Sequence, residues 1–144
     1  MKEILLAVMA MLNFGCADLF SQYGMRMVES PSGEKLYFRR EARGLNFDSL
    51  VLTKNPDHCR EPDPSHDIVF FGLGPIHVFY KFEENRLHLY LTNLVDVPDK
   101  FSDKTQIVQH KLSNPEFIFM KENYKTDGLG LIDVPLDKAL TCEE

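Results

Sequence analysis

The stretch Asn55-Pro56-Asp57-His58-Cys59-Arg60-Glu61-Pro62-Asp63-Pro64-Ser65-His66-Asp67 is the densest run of chemically competent side chains in the sequence. His58, Cys59, His66 and the flanking carboxylates are ligand types that zinc accepts. Their spacing does not fit a structural zinc site, which pairs ligands at short intervals such as C-x2-C. An oxidised Cys59 would also have no thiolate to offer a metal. Ser65-His66-Asp67 sets the residue types of an acyl-transfer triad side by side, but triads are assembled in space, so adjacency carries no such meaning. Pro56, Pro62 and Pro64 fit a rigid surface loop. The chemistry left to this stretch is recognition, and Asp57, His58, Glu61, Asp63 and His66 are its candidate contacts to a partner protein.

Other constellations carry less. His77 and His88 fall on one face of a hairpin, but about 13 Å of strand rise apart, too far to share an ion. Gly72-Leu73-Gly74-Pro75 lacks the following helix that a phosphate cradle needs, and reads as a turn, as does Asp127-Gly128-Leu129-Gly130. Asp96, Asp99 and Asp103 lack the ligand order of an EF-hand and read as a solvated acidic loop. There is no G-x-S-x-G elbow, and a pool of 22 acidic residues always contains some pair able to act in glycoside hydrolysis. The sequence therefore assigns no catalytic residue, no metal and no cofactor.

The elements that must carry the polar stretch are mostly strands. Met25 and Met27 alternate with Arg26 and Val28 before the breaker Ser30-Pro31-Ser32-Gly33, and Leu36 and Phe38 alternate on the return. Pairing Glu29 with Glu34 sets Met27 opposite Leu36 and Met25 opposite Phe38. A second hairpin runs from Ile76 to Asn93 about a turn at Glu84-Asn85. It faces Val78, Tyr80 and Phe82 with Leu91, Leu89 and Leu87, and Phe79, Lys81 and Glu83 with Tyr90, His88 and Arg86. Further strands are expected at Ser49–Thr53, Asp67–Phe71, Gln106–Lys111 and Glu116–Lys121, with short helices at Pro98–Asp103 and Leu136–Leu140. This predicts an all-β domain over 18–144, an antiparallel β-sandwich or small β-barrel with one or two short helices.

The chain has 144 residues, 44% hydrophobic and 26% charged, with a net charge of −6. That composition is neither disordered nor that of a multi-span membrane protein, and the acidic balance argues against duplex nucleic acid. Lys35, Arg39, Arg40 and Arg43 form a local basic stretch, partly offset by Glu34 and Glu41.

The N-terminus has the form of an address. Lys2 precedes the apolar run Ile4–Leu12, too short to cross a bilayer as a helix but of the length of a signal-peptide core. Small Gly15 and Ala17 follow, so residues 1–17 are expected to be a signal segment, cleaved before Cys16 or after Ala17. Gly15-Cys16 resembles the lipobox of bacterial lipoproteins, although Asn13 stands where that motif has an aliphatic residue. The resemblance implies lipidation of Cys16 and a membrane anchor; plain cleavage implies a periplasmic or secreted protein. Either way Cys59 and Cys142 remain, and in an oxidising compartment they are expected to form a disulfide closing 83 positions.

An exported, acidic, disulfide-closed β-domain without catalytic residues reads as a binding module that neutralises another protein. Periplasmic inhibitors and toxin-immunity proteins act in that way, and a basic envelope hydrolase or toxin is the expected partner. Ser32-Gly33 followed by Tyr37 resembles an inhibitory loop of the lysozyme-inhibitor family, so these three join the candidate contacts. The spacing is one residue longer here and the chain has no Trp, so membership of that family is not assigned. The alternatives are a small-molecule carrier with a lipocalin-like barrel and a small envelope hydrolase using His58 or His66.

Overall fold

The computed structural model describes residues 21–44, 47–72 and 76–143. The expected signal segment, Cys16 and positions 73–75 of the expected Gly72–Pro75 turn lie outside the described residues. In chain order the elements are β1 (Ser21–Glu29), β2 (Lys35–Arg43), β3 (Phe47–Thr53), β4 (Ile68–Gly72), β5 (Val78–Glu83), β6 (Arg86–Leu91), β7 (Gln106–Lys111), α1 (Asn114–Asn123) and β8 (Gly130–Ile132). They make two four-stranded sheets, in the orders β1-β2-β3-β4 and β7-β6-β5-β8. The fold is therefore an all-β sandwich rather than a closed barrel.

Strict alternation builds the core. Val28, Leu36, Phe38, Leu50, Leu52, Ile68 and Phe70 project from the first sheet onto Val78, Leu87, Leu89, Leu91 and Ile132 of the second. At about 25 cal/mol per Å² of apolar surface removed from water, these side chains dominate the stabilising energy. Phe101 and Val134 complete the same cluster from irregular segments.

The β5–β6 hairpin has the predicted register, with Phe79 opposite Tyr90, Lys81 opposite His88 and Glu83 opposite Arg86. Its two-residue turn is made by Glu84, with φ of 54°, and Asn85. The β1–β2 hairpin is one residue out of the predicted register: Val28 faces Leu36 and Arg26 faces Phe38. The cause is the turn. Ser30 and Glu34 close it by backbone hydrogen bonding, leaving a three-residue loop in which Gly33 takes φ of 82°. Val28 therefore enters the core, and Met27 is left 47% exposed on the outer face.

Two further expectations are corrected. Residues 116–121 lie in α1, not in a strand. Ser113 caps the helix, accepting from the Glu116 amide while the Glu116 carboxylate accepts from the Ser113 amide. This capping box, with a proline in the first turn, outweighs the strand propensity of Phe-Ile-Phe. The helix buries none of its own residues fully, but Phe117 and Tyr124 beyond its end cover Phe79 at ring-centroid distances of 5.4 and 5.6 Å. Replacing Ser113 by Ala is expected to cost about 1 kcal/mol in urea denaturation, and an unchanged midpoint would count against the cap. Pro98–Asp103 and Leu136–Leu140 are turns rather than helices, closed by bonds from the Phe101 amide to Pro98 O and from the Leu140 amide to Asp137 O.

One ladder departs from the expected antiparallel pattern, because β7 runs parallel to β6. The segment 92–105 returns along the sheet before β7 begins and buries Phe101 and Thr105 on the way, long enough for a parallel crossover. It is pinned to the first hairpin by Glu34, whose carboxylate accepts from the hydroxyls of Ser102, at 2.8 Å, and Thr105.

Candidate recognition surface

On the outer face of the first sheet, Tyr37, Arg39, Glu41 and Arg43 of β2 lie beside Thr53, Val51, Ser49 and Phe47 of β3. The polar stretch leaves β3 at Thr53 and folds back over this face before entering β4. Its first half is built from successive i to i+2 side-chain turns. The Asn55 amide donates to Thr53 Oγ1 at 3.0 Å, the Asp57 amide to Asn55 Oδ1 at 2.9 Å, and the Cys59 amide to Asp57 Oδ1 at 2.9 Å. Short polar side chains favour this conformation because they supply the acceptors that no strand neighbour offers.

Beneath the loop lies Arg39, only 6% exposed. Its Nη1 donates to the carbonyls of Asp57 and Arg60, the second at 2.8 Å. Burial lowers its pKa, and the nearby Asp67 charge opposes that shift. Asp67 is buried and its Oδ2 accepts from Arg60 Nη2 at 2.6 Å and from the Asp63 amide at 2.8 Å. The loop is thus anchored from below by the Arg39 guanidinium and braced from within by the Arg60–Asp67 pair. The sulfurs of Cys59 and Cys142 lie 2.05 Å apart, at disulfide bonding distance, and hold the C-terminal segment against the loop. His58 Nε2 lies 3.1 Å from Thr141 O, and its ring meets the edge of Tyr23 at a centroid distance of 5.9 Å. The same C-terminal segment is held to β1 by the Asp137 amide donating to Tyr23 O. Gly24 permits this approach, since a Cβ there would stand 2.2 Å from Pro135 O.

The structure brings Asp57, His58, Glu61, Asp63 and His66 into this one loop, with Asp57, Glu61 and His66 exposed. Tyr37 pairs with Thr53 at the root of the loop. Ser32 and Gly33 are exposed at the neighbouring hairpin tip, where Ser32 Oγ lies 2.9 Å from Ser30 Oγ, and among the described residues no hydrogen bond joins them to the loop. An open groove of about 560 Å³ runs along the loop, lined by Thr53, Lys54, Asn55, Pro56, Arg60, Asp63, His66 and Asp67. Arg39, Arg60 and Asp67 are the residues that sequence reasoning did not single out as site-forming. The available signal was alternation, which sets Arg39 opposite Val51 on a face that a long connection has to cover.

Ser65, His66 and Asp63 do meet, but not as a proton relay. Ser65 Oγ lies 2.8 Å from His66 Nδ1, and that same Nδ1 lies 2.9 Å from Asp63 Oδ2. A triad uses the two ring nitrogens separately, one toward the acid and one toward the nucleophile. Here one nitrogen serves both, so the cluster is a local turn lock. Bonds from the Ser65 hydroxyl and amide, followed by His66, hold the Asp63 carboxyl down at about 2. A depressed carboxyl contributes order above its unfolded pKa and loses it as pH falls through the folded value. The Asp63 lock is therefore expected to persist at pH 3 to 4 and open near pH 2. Carboxyl-carbon NMR titration measures this, and a midpoint near the ordinary value of 3.8 would refute it.

Ligand atoms of His58, Cys59 and Cys142 lie within 4.8 Å of one another. With the sulfurs bonded to each other there is no thiolate for a metal to bind. The fold and this surface together define a two-sheet β-sandwich that displays a prebuilt, disulfide-anchored polar loop. Comparison with protein-family models, curated proteins and solved structures finds no match.

Proposed function

We propose that this protein is an exported, non-enzymatic binding module that neutralises a partner protein through the loop of residues 55–67. The observation that carries the reading is the loop's internal construction. Its backbone is ordered by its own side chains, Asn55 and Asp57 among them, and by Arg39 underneath, while the Glu61 side chain is left exposed. A preordered loop loses little conformational entropy on binding, which is how inhibitory loops reach high affinity. A net charge of −6 favours a basic partner, such as an envelope hydrolase or toxin, through faster encounter and better complementarity. The disulfide is compatible with export, whether the chain is released into the periplasm or anchored at Cys16.

The sandwich interior supports surface recognition over a lipocalin-like cup, since Phe38, Phe70 and Phe101 fill the space between the sheets. The sharing of His66 Nδ1 by Ser65 and Asp63 argues against Ser65 as a nucleophile activated by His66.

The test is inhibition. Purified protein at micromolar excess is assayed against basic envelope hydrolases and toxins from the same source, and bound material is eluted across a salt gradient. The expected result is a stoichiometric, salt-sensitive complex in which the target loses activity, with both effects weakened by Glu61→Lys. Full target activity with no complex at low salt would overturn the proposal.

A further inference from the structure

Between the outer face of the first sheet and residues 58–62 of the loop lies a second, more enclosed cavity of about 40 Å³. Arg39 forms part of its wall, with Val51 beside it on β3 and with Ser49, Tyr23 and Arg60. Arg39 is buried, yet only part of its hydrogen-bonding capacity is used. Its Nη1 hydrogens go to the carbonyls of Asp57 and Arg60. Its Nε is buried without a partner, and its Nη2 makes no hydrogen bond among the described residues. Nε and Nη2 share one edge of the guanidinium, the fork from which two N–H groups meet an anion. Buried donors without an acceptor are uncommon in native proteins, and a bound water or ion is what ordinarily satisfies them.

The charges around the cavity decide between the two. Its wall carries four guanidinium groups, Arg39, Arg40, Arg43 and Arg60, against two carboxylates, Glu41 and Glu61. Both carboxylates turn to Arg43, at 2.5 and 3.8 Å. Arg40 and Arg60 meet Asp48 and Asp67, each at 2.6 Å, and neither of these acids lines the cavity. Arg39 alone of the four has no carboxylate within ion-pairing distance among the described residues. Burial lowers its pKa, Asp67 opposes that shift from a distance, and the like charge of Arg60 adds to it. Water in the cavity would satisfy the donors and leave this charge unpaired, whereas an anion does both.

We propose that this cavity binds a small monovalent anion of the halide class, chloride above all, on the Nε–Nη2 edge of Arg39. Ser49 and Tyr23, in the same wall, carry hydroxyl donors for its other side. A water needs at least about 10–15 Å³ of such space, and a halide is only somewhat larger. Sulfate and phosphate bring a tetrahedron of oxygens and a second charge that a single unpaired guanidinium does not match. Bound there, the anion neutralises the residue that holds the Asp57 and Arg60 carbonyls, and so braces the loop of residues 55–67 against β2.

The experiment has a crystal arm and a solution arm. Crystals of the protein grown with bromide in place of chloride are measured at the bromine absorption edge. In solution, the chloride NMR line width is followed as chloride is titrated at constant ionic strength. The expected result is an anomalous peak beside Arg39 Nε and Nη2, and a saturable excess line width that bromide competes away and sulfate does not. Ser49→Leu fills the cavity, and Arg39→Lys keeps the charge without the fork, so each should weaken binding by roughly tenfold or more. Amide spectra show whether each variant keeps the fold, and the bromide peak in the unaltered protein decides without them. Water alone in the cavity of the bromide-grown crystal, or the same excess line width in folded Ser49→Leu, would overturn the proposal.

Discussion

Reducing the Cys59–Cys142 bridge, or replacing Cys142 by Ser, is expected to lower the unfolding free energy by about 4–5 kcal/mol. The bond closes a loop of 83 positions, and in the chain-entropy account the loss grows with the logarithm of that length. Few other contacts hold the C-terminal residues. The Asp137 amide bonds Tyr23 O and His58 meets Thr141 O, while Leu136, Lys138 and Ala139 are not buried. The reduced protein should therefore lose protection from amide exchange at residues 137–142 first, with the sandwich core unfolding later at a lower urea midpoint. Paired urea titrations with and without reductant measure the effect. A difference below about 1 kcal/mol would mean that the long loop is already constrained in the unfolded chain.

Asp67→Ala is expected to cost about 3–5 kcal/mol, the range for leaving a buried charge without its partner. The residue is 3% exposed, and its carboxylate serves three groups: the Arg60 guanidinium, the Asp63 amide and, through space, the buried Arg39. Removing it leaves the Asp63 amide without an acceptor, the Arg60 guanidinium without its partner and the buried Arg39 without its nearby anion. Asp67→Asn keeps the volume and one acceptor, so a smaller loss is expected, about 1–3 kcal/mol. Urea denaturation of both variants is the measurement, with His66 and Ser65 resonances reporting on the loop. A loss below about 1 kcal/mol for the Ala variant would show that the loop is held mainly by Arg39 and the disulfide. Asp67→Ala and Cys142→Ser act on the same loop, so their combined effect should differ from the sum.

Much of this architecture was legible residue by residue. The β5–β6 register could be read because both faces of Val78–Leu91 are internally consistent, and a slip of one residue would spoil both. The strand Gln106–Lys111 has its predicted ends. The Cys59–Cys142 pair follows from setting Cys16 aside. The β1–β2 register was harder, because Met25, Met27, Leu36 and Phe38 alternate equally well one residue either way. The choice lay with Gly33, whose positive φ closes the turn between Ser30 and Glu34. In α1 two local signals compete, a strand-like Phe-Ile-Phe and the Ser113–Glu116 capping box. The second prevails because it satisfies amides that a helix start otherwise leaves bare.

The recognition loop shows the same division. Its turns depend on side chains two residues from the amides they accept, so Asn55, Asp57 and Asp63 announce it in the sequence. Its position does not, because Arg39 bonds carbonyls 18 and 21 residues away.

Alternation, turn chemistry and cysteine number were set by the sequence alone, because each depends on residues within one turn or on a simple count. The parallel partner of β6, the burial of Arg39 under the loop and the meeting of His88 with His110 across 22 residues were decided only by the tertiary structure. Those contacts draw their energy from surfaces brought together by long loop closures, and no local pattern encodes which distant strand arrives alongside.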